Sequence, residues 1–119
     1  MTRMKKLPSK VYVSGHEYLI EEMSEKLYKE REAYGDCCNN QKLIRIYCGT
    51  VLSATRDTLL HEILHAIWHL SYLQNSEEEE KAISRIATAL IGFFDDPRNS
   101  KVKSFLMDPS NDRPTTKAK

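Results

Sequence analysis

The chain predicts an α+β fold in which a short antiparallel sheet of about three strands packs against two helices. Three observations lead there. The β-favouring runs and their glycine and asparagine turns all fall before residue 50, residues 54–94 carry two long stretches of helical periodicity, and 119 residues suffice for one domain but not two. Residues 1–107 are expected to form that domain. Residues 108–119, "DPSNDRPTTKAK", are polar, hold two prolines, and are expected to be a disordered tail.

The elements follow in order. "KVYVSGHEYLIEEM" (10–23) places two β-favouring runs around Ser14-Gly15-His16, the pattern of a hairpin with a glycine turn. "SEKLYKEREAYG" (24–35) predicts a short charged helix ended by Gly35. Asn39-Asn40 is a turn signal, and Leu43–Tyr47 is a third strand. Ser53 is the expected cap of a helix over residues 54–70. "SYLQNSEEEE" is a polar break, and a second long helix runs from Glu77 to about Phe94, where Asp95-Asp96-Pro97 stops it. A short last helix covers Ser100 to Met107.

Charge and cysteine content exclude several classes. Eighteen Lys and Arg against seventeen Asp and Glu give a net charge of +1, without the basic excess of a nucleic-acid binder. No apolar stretch reaches the roughly 18 residues of a membrane span, and no apolar leader is visible after the basic N-terminus. Cys37, Cys38 and Cys48 are an odd number, so reduced thiols and a cytoplasmic setting are expected.

The chemistry gathers in "TLLHEILHAIWH" (58–69). His61 and His65 are one helical turn apart, about 6 Å along the axis, and project the same way. Two imidazoles so placed can hold one Zn²⁺, and Glu62 can reach a water on the metal without ligating it. This is the physical content of H-E-x-x-H: the metal acidifies the water and the glutamate takes its proton during attack on a carbonyl. His69 lies about 12 Å from His61 along the axis and cannot join the same ion from a straight helix. It and His16 read as ordinary surface histidines. On a helical wheel Leu60, Ile63, Leu64 and Ile67 form the stripe expected to face the core.

A catalytic zinc needs a third protein ligand. Glu77 to Glu80 supply candidates, although carboxylates at a helix start have an ordinary explanation in the helix dipole. The stripe Ile83, Ile86, Ala87, Leu90 and Phe94 is flanked by Glu79 on one side and Glu80 on the other. Helical phase favours Glu79, and position along the axis favours Glu80. Either choice requires the first helix to end soon after His69 or to cross the second steeply.

"DTLLHEILHAI", followed by "EEKAISRIATAL" and "DDP", resembles the small phage- and mobile-element-borne metallopeptidases related to the ImmA/IrrE family. "KVYVSGHEYLIEEM" and "YGDCCNNQKLIRI" are similar to the strands before the motif helix in those proteins, so the resemblance covers roughly residues 8 to 107. It implies a zincin-like domain of gluzincin type with a glutamate as third ligand. The apolar residue three on and the apolar-Ala pair six and seven on pick Glu80, with Ile83 and Ile86-Ala87. Lys81 and Ser84 depart from the family, which often carries acidic residues there. The implied assignment is His61, His65 and Glu80 on zinc and Glu62 as base. Loss of Glu79 is expected to weaken the site little. A strand near the motif helix usually lies along the substrate cleft in zincins, so Leu43–Tyr47 is the expected edge, to which an extended peptide could add. Tyr34, Tyr47 and Tyr72 are candidates to stabilise an oxyanion. The partner implied is a protein or peptide substrate, by analogy a regulatory protein of a mobile element in a host cytoplasm. The competing reading is a non-catalytic, metal-containing protein-binding module of the same fold. A third, in which Cys37-Cys38 and Cys48 form a separate metal or redox site, lacks a C-x-x-C pattern.

Overall fold

The computed structural model describes residues 7–71 and 77–108, so Tyr72 and the tail 109–119 lie outside the described residues. Strands β1 (Lys10–Val13), β2 (His16–Glu22), β3 (Gly35–Cys38) and β4 (Leu43–Ile46) and helices α1 (Glu25–Arg31), α2 (Leu52–Leu70), α3 (Glu77–Asp95) and α4 (Ser100–Met107) follow in the order β1-β2-α1-β3-β4-α2-α3-α4. The fold is α+β, as the sequence predicts. The chain divides into two compact units, Met1–Ala87 and Thr88–Lys119.

Among the described residues the sheet has four strands, in the order β1-β2-β4-β3, and it is mixed, not the antiparallel sheet of about three strands that the sequence predicts. The expected hairpin is present: β1 and β2 pair antiparallel with Val13 opposite His16. Its two-residue turn holds Ser14 at φ 50° and Gly15 at φ 82°, the pair of positive values a type I′ turn needs. β2 then pairs parallel with β4, Ile20 against Ile44.

Strand β3 is the element the sequence did not announce. "GDCC" has poor β propensity. It is held by antiparallel pairing with β4, Cys37 against Ile44 and Asp36 against Arg45. The Arg45 guanidinium grips the Asp36 carboxylate with two bonds of 3.1 Å, and Arg31 of α1 adds a third at 2.7 Å. Two expectations are thereby corrected. β4 is an inner strand, and β3 is the edge. Gly35 opens β3 and does not end α1, whose left-handed closing residue is Glu32 at φ 53°.

The core of the first unit is Val13, Tyr18, Ile20, Ile44 and Ile46 from the sheet and Ala66 from α2, with Leu59, Ile63 and Leu70 packed against it. The Tyr18 hydroxyl donates to Asn39 Oδ1 at 2.9 Å, so the deepest polar atom of the sheet is satisfied. α2 is turned about a quarter-turn from the expected phase. Thr55, Glu62 and Ala66 are its buried residues, whereas Ile67 is exposed. The helix is apolar on most of its circumference, so aliphatic spacing alone does not fix which side meets the sheet. It also starts earlier than expected. Val51 occupies the cap position without a side-chain bond, and Ser53 lies inside the first turn.

In the second unit, Asp96 caps the 3-10 turn Pro97–Asn99 by accepting from Arg98 N at 3.0 Å. Asn99 Nδ2 and Lys103 Nζ donate to the Phe93 and Phe94 carbonyls at the end of α3, at 3.0 and 2.7 Å. α4 has the bounds expected of it. Among the described residues no helix is long and apolar enough to cross a membrane.

Ile44 is fully buried on an inner strand. Ile44→Ala is expected to cost about 2–5 kcal/mol, read as a fall in the urea midpoint with unchanged slope. A loss under 1 kcal/mol would contradict the assignment of this strand to the core.

Candidate metal centre

The predicted site residues come together at one end of a cleft of about 770 Å³. α2 supplies His61, Glu62 and His65, the first turn of α3 supplies Glu79 and Glu80, and β3 with the residues before it forms the facing wall. α2 ends one residue after His69, as the short link to the glutamates requires. His69 itself is exposed.

His61 Nε2 lies 2.8 Å from Glu80 Oε2, His65 Nε2 lies 3.0 Å from Glu80 Oε1, and the two Nε2 atoms are 3.2 Å apart. For a four-coordinate zinc with bonds of about 2.0–2.1 Å, tetrahedral geometry puts neighbouring donors about 3.3 Å apart. His61, His65 and Glu80 are thus near the spacing of three ligands on one ion, and they are the one set of potential ligands so grouped among the described residues.

Glu79 occupies the other nitrogen of the same ring: His65 Nδ1 is 2.7 Å from Glu79 Oε2. A carboxylate only accepts, so Nδ1 carries the proton. In neutral His65 that leaves the Nε2 lone pair facing the Glu80 carboxylate, acceptor against acceptor. A second proton on the ring, or a cation between the groups, removes the conflict. The donor set therefore fits a metal ion on its chemistry as well as its spacing. The sequence set Glu79 and Glu80 in competition; the structure uses both, on opposite nitrogens of one imidazole. The 3.6-residue period carried that signal, because it puts neighbouring helix positions on different flanks.

Glu62 is 6% exposed, on the side of α2 that faces β3. Gly35 lets β3 approach α2 beside it, most closely at Thr58. A β-carbon at Gly35 would lie 2.8 Å from Thr58 Cγ2, 2.9 Å from the Arg45 carbonyl and 3.3 Å from Glu62 Cγ. Burial pushes the Glu62 carboxyl up to about 7, with Glu80 and Asp36 adding to the rise and His65 opposing it.

Among the described residues the cleft lining adds Asp36 and Asp57 to the three glutamates and includes no Lys or Arg. Such a wall favours a cation. Cys37 lines it too, but burial, then the Glu62 charge, pushes its thiol up to about 12, so it is neutral and a poor nucleophile at pH 7. All three cysteines are free thiols. Of the tyrosines, Tyr34 lines the cleft, while Tyr47 is stacked on Tyr28 with ring centroids 3.9 Å apart and is not part of the lining. Comparison with protein-family models, with curated proteins and with solved structures finds no match.

The Glu62 shift fixes a sign. Between about pH 4.5 and about 7 the folded state holds a proton that the unfolded state has released, so stability falls as pH rises through that window. In chelator-treated protein, Glu62→Gln removes this cost. Its melting temperature is expected to match wild type near pH 4.5 and to exceed it at pH 8, by a stability difference on the order of 2 kcal/mol. A variant less stable than wild type at pH 8 would contradict the burial argument.

Proposed function

We propose that the chain is a small zincin-like zinc metallopeptidase, similar to the phage- and mobile-element-borne enzymes related to the ImmA/IrrE family. One observation carries the reading. His61 Nε2, His65 Nε2 and Glu80 converge on a single point, and the residue after His61 is a buried carboxylate in the same cleft.

In this reading His61, His65 and Glu80 hold Zn²⁺. Bound there, the ion supplies Lewis acidity, polarising a carbonyl and lowering the pKa of a water. Glu62 would take the proton from the attacking water and pass it to the departing amine, a role open to a carboxylate in the same cleft one residue after His61. Among the described residues β3 is hydrogen-bonded to a neighbour on one side only, and it lines the cleft. An extended peptide can add to it as a further strand, which sets the scissile bond beside α2. The substrate edge is thus β3 and not the expected β4. Of the described tyrosine candidates, Tyr34 lines the cleft and is 52% exposed, which supports it as the one to meet substrate. The substrate class is a protein or peptide, by analogy with the family a regulatory protein in the host cytoplasm.

Purified untagged protein is expected to carry about one Zn²⁺ per chain, and His61→Ala or His65→Ala to remove most of it. Absence of metal by elemental analysis, with no rise in melting temperature on adding zinc, would overturn the reading. Glu62→Gln keeps the shape of the side chain but cannot accept the proton. It is expected to retain zinc and to lose hydrolysis by about 10²–10⁴-fold, followed by mass spectrometry of a co-expressed regulatory protein or an unfolded peptide pool. Equal cleavage by wild type and variant would indicate a contaminating protease. Zinc bound with no cleavage by either would favour a metal-containing protein-binding module.

A further inference from the structure

We infer that Glu79 is the positioning residue of this centre: it accepts the Nδ1 proton of His65 and so presents the Nε2 lone pair to the point where His61 and Glu80 meet. The inference rests on the metal-centre reading and goes beyond it, since neither the H-E-x-x-H motif nor the family resemblance gives Glu79 a role.

Three facts support it. The Nδ1–Oε2 separation of 2.7 Å is that of a charge-assisted hydrogen bond. The Glu79 side chain is 13% exposed, whereas that of Glu80 is 63% exposed. A half-solvated carboxylate on a helix start has many positions open to it. One enclosed against a ring nitrogen has few, so the contact fixes both partners. The two glutamates are also adjacent in sequence, so the first turn of α3 sets the ligand and the orienting group together. A shift of that turn moves both relative to His65.

The orienting bond has three consequences for the ring. It selects the tautomer with Nδ1 protonated, it holds the imidazole plane, and it makes Nε2 a better donor to a cation. The expectation from sequence that loss of Glu79 would weaken the site little is therefore revised.

The test uses full-length Glu79→Ala, Glu79→Gln and Glu80→Ala, each checked for fold by amide NMR. Zn²⁺ and Co²⁺ are titrated by calorimetry, the Co²⁺ d–d absorption reports the ligand set, and long-range ¹H–¹⁵N spectra of metal-free protein report the His65 tautomer. Wild-type His65 is expected as the Nδ1–H form. Glu79→Ala is expected to lose that preference and to bind Zn²⁺ about 10–100-fold more weakly, with the Co²⁺ spectrum of wild type. Glu79→Gln, whose amide oxygen still accepts, is expected to recover part of the affinity and the tautomer. Glu80→Ala is expected to change the Co²⁺ spectrum.

Zn²⁺ affinity within twofold of wild type in Glu79→Ala, with the tautomer unchanged, would overturn the inference. So would a Co²⁺ spectrum altered as in Glu80→Ala, which would make Glu79 a ligand. If Glu79→Ala does not fold, Glu79→Gln decides by the same two readouts. If wild type binds neither ion, the metal-centre reading fails. The tautomer measurement then still stands by itself, and a wild-type ring without the Nδ1–H preference overturns the Glu79 contact.

Discussion

The carboxyl of Glu62 sits between a helix and a sheet, where an aliphatic side chain would ordinarily pack. Burying it costs free energy, and the neighbourhood is shaped to contain it. Gly35 gives up a side chain so that β3 can approach α2 beside it. Ala66, fully buried one turn on, is small and keeps the helix close to the sheet. The short strand β3 is held to β4 by antiparallel pairing and by Asp36 on Arg45, while Arg31 ties the same carboxylate to α1. A fold selected for stability alone has no use for this arrangement. It becomes intelligible if the carboxyl serves the group of donors that His61, His65 and Glu80 form in the same cleft.

Much of this was legible in the sequence because it depends on spacing along one helix. His61, Glu62 and His65 lie within five residues, so the period of 3.6 places them without tertiary knowledge. The glycine hairpin, the break at Asp95-Asp96-Pro97 and the last helix are likewise local signals. The errors came where long-range packing decides. β3 was missed because Gly-Asp-Cys-Cys is a strand by virtue of its partner, not its composition. The edge of the sheet was misplaced for the same reason. The phase of α2 was misread because large aliphatic residues outline several faces, whereas the side that meets the sheet is marked by Ala66 and Glu62.

The two glutamates of α3 show a finer limit. Composition presents four carboxylates at a helix start, which the helix dipole explains without function. Phase and axial level then separate Glu79 from Glu80 as rivals for one task. The structure sets them against opposite nitrogens of one imidazole, so they are neighbours of the same ring and not rivals for one position.

The central claim is a metal held by two imidazoles and a carboxylate beside a buried base, with the free thiol of Cys37 in the same cleft but outside the ligand set. X-ray absorption at the zinc edge of zinc-loaded protein tests it most directly. The account predicts a shell of nitrogen and oxygen at about 2.0–2.1 Å, with the outer-shell pattern of two imidazoles and no sulfur. A sulfur scatterer at about 2.3 Å, or a shell without imidazole, would contradict it.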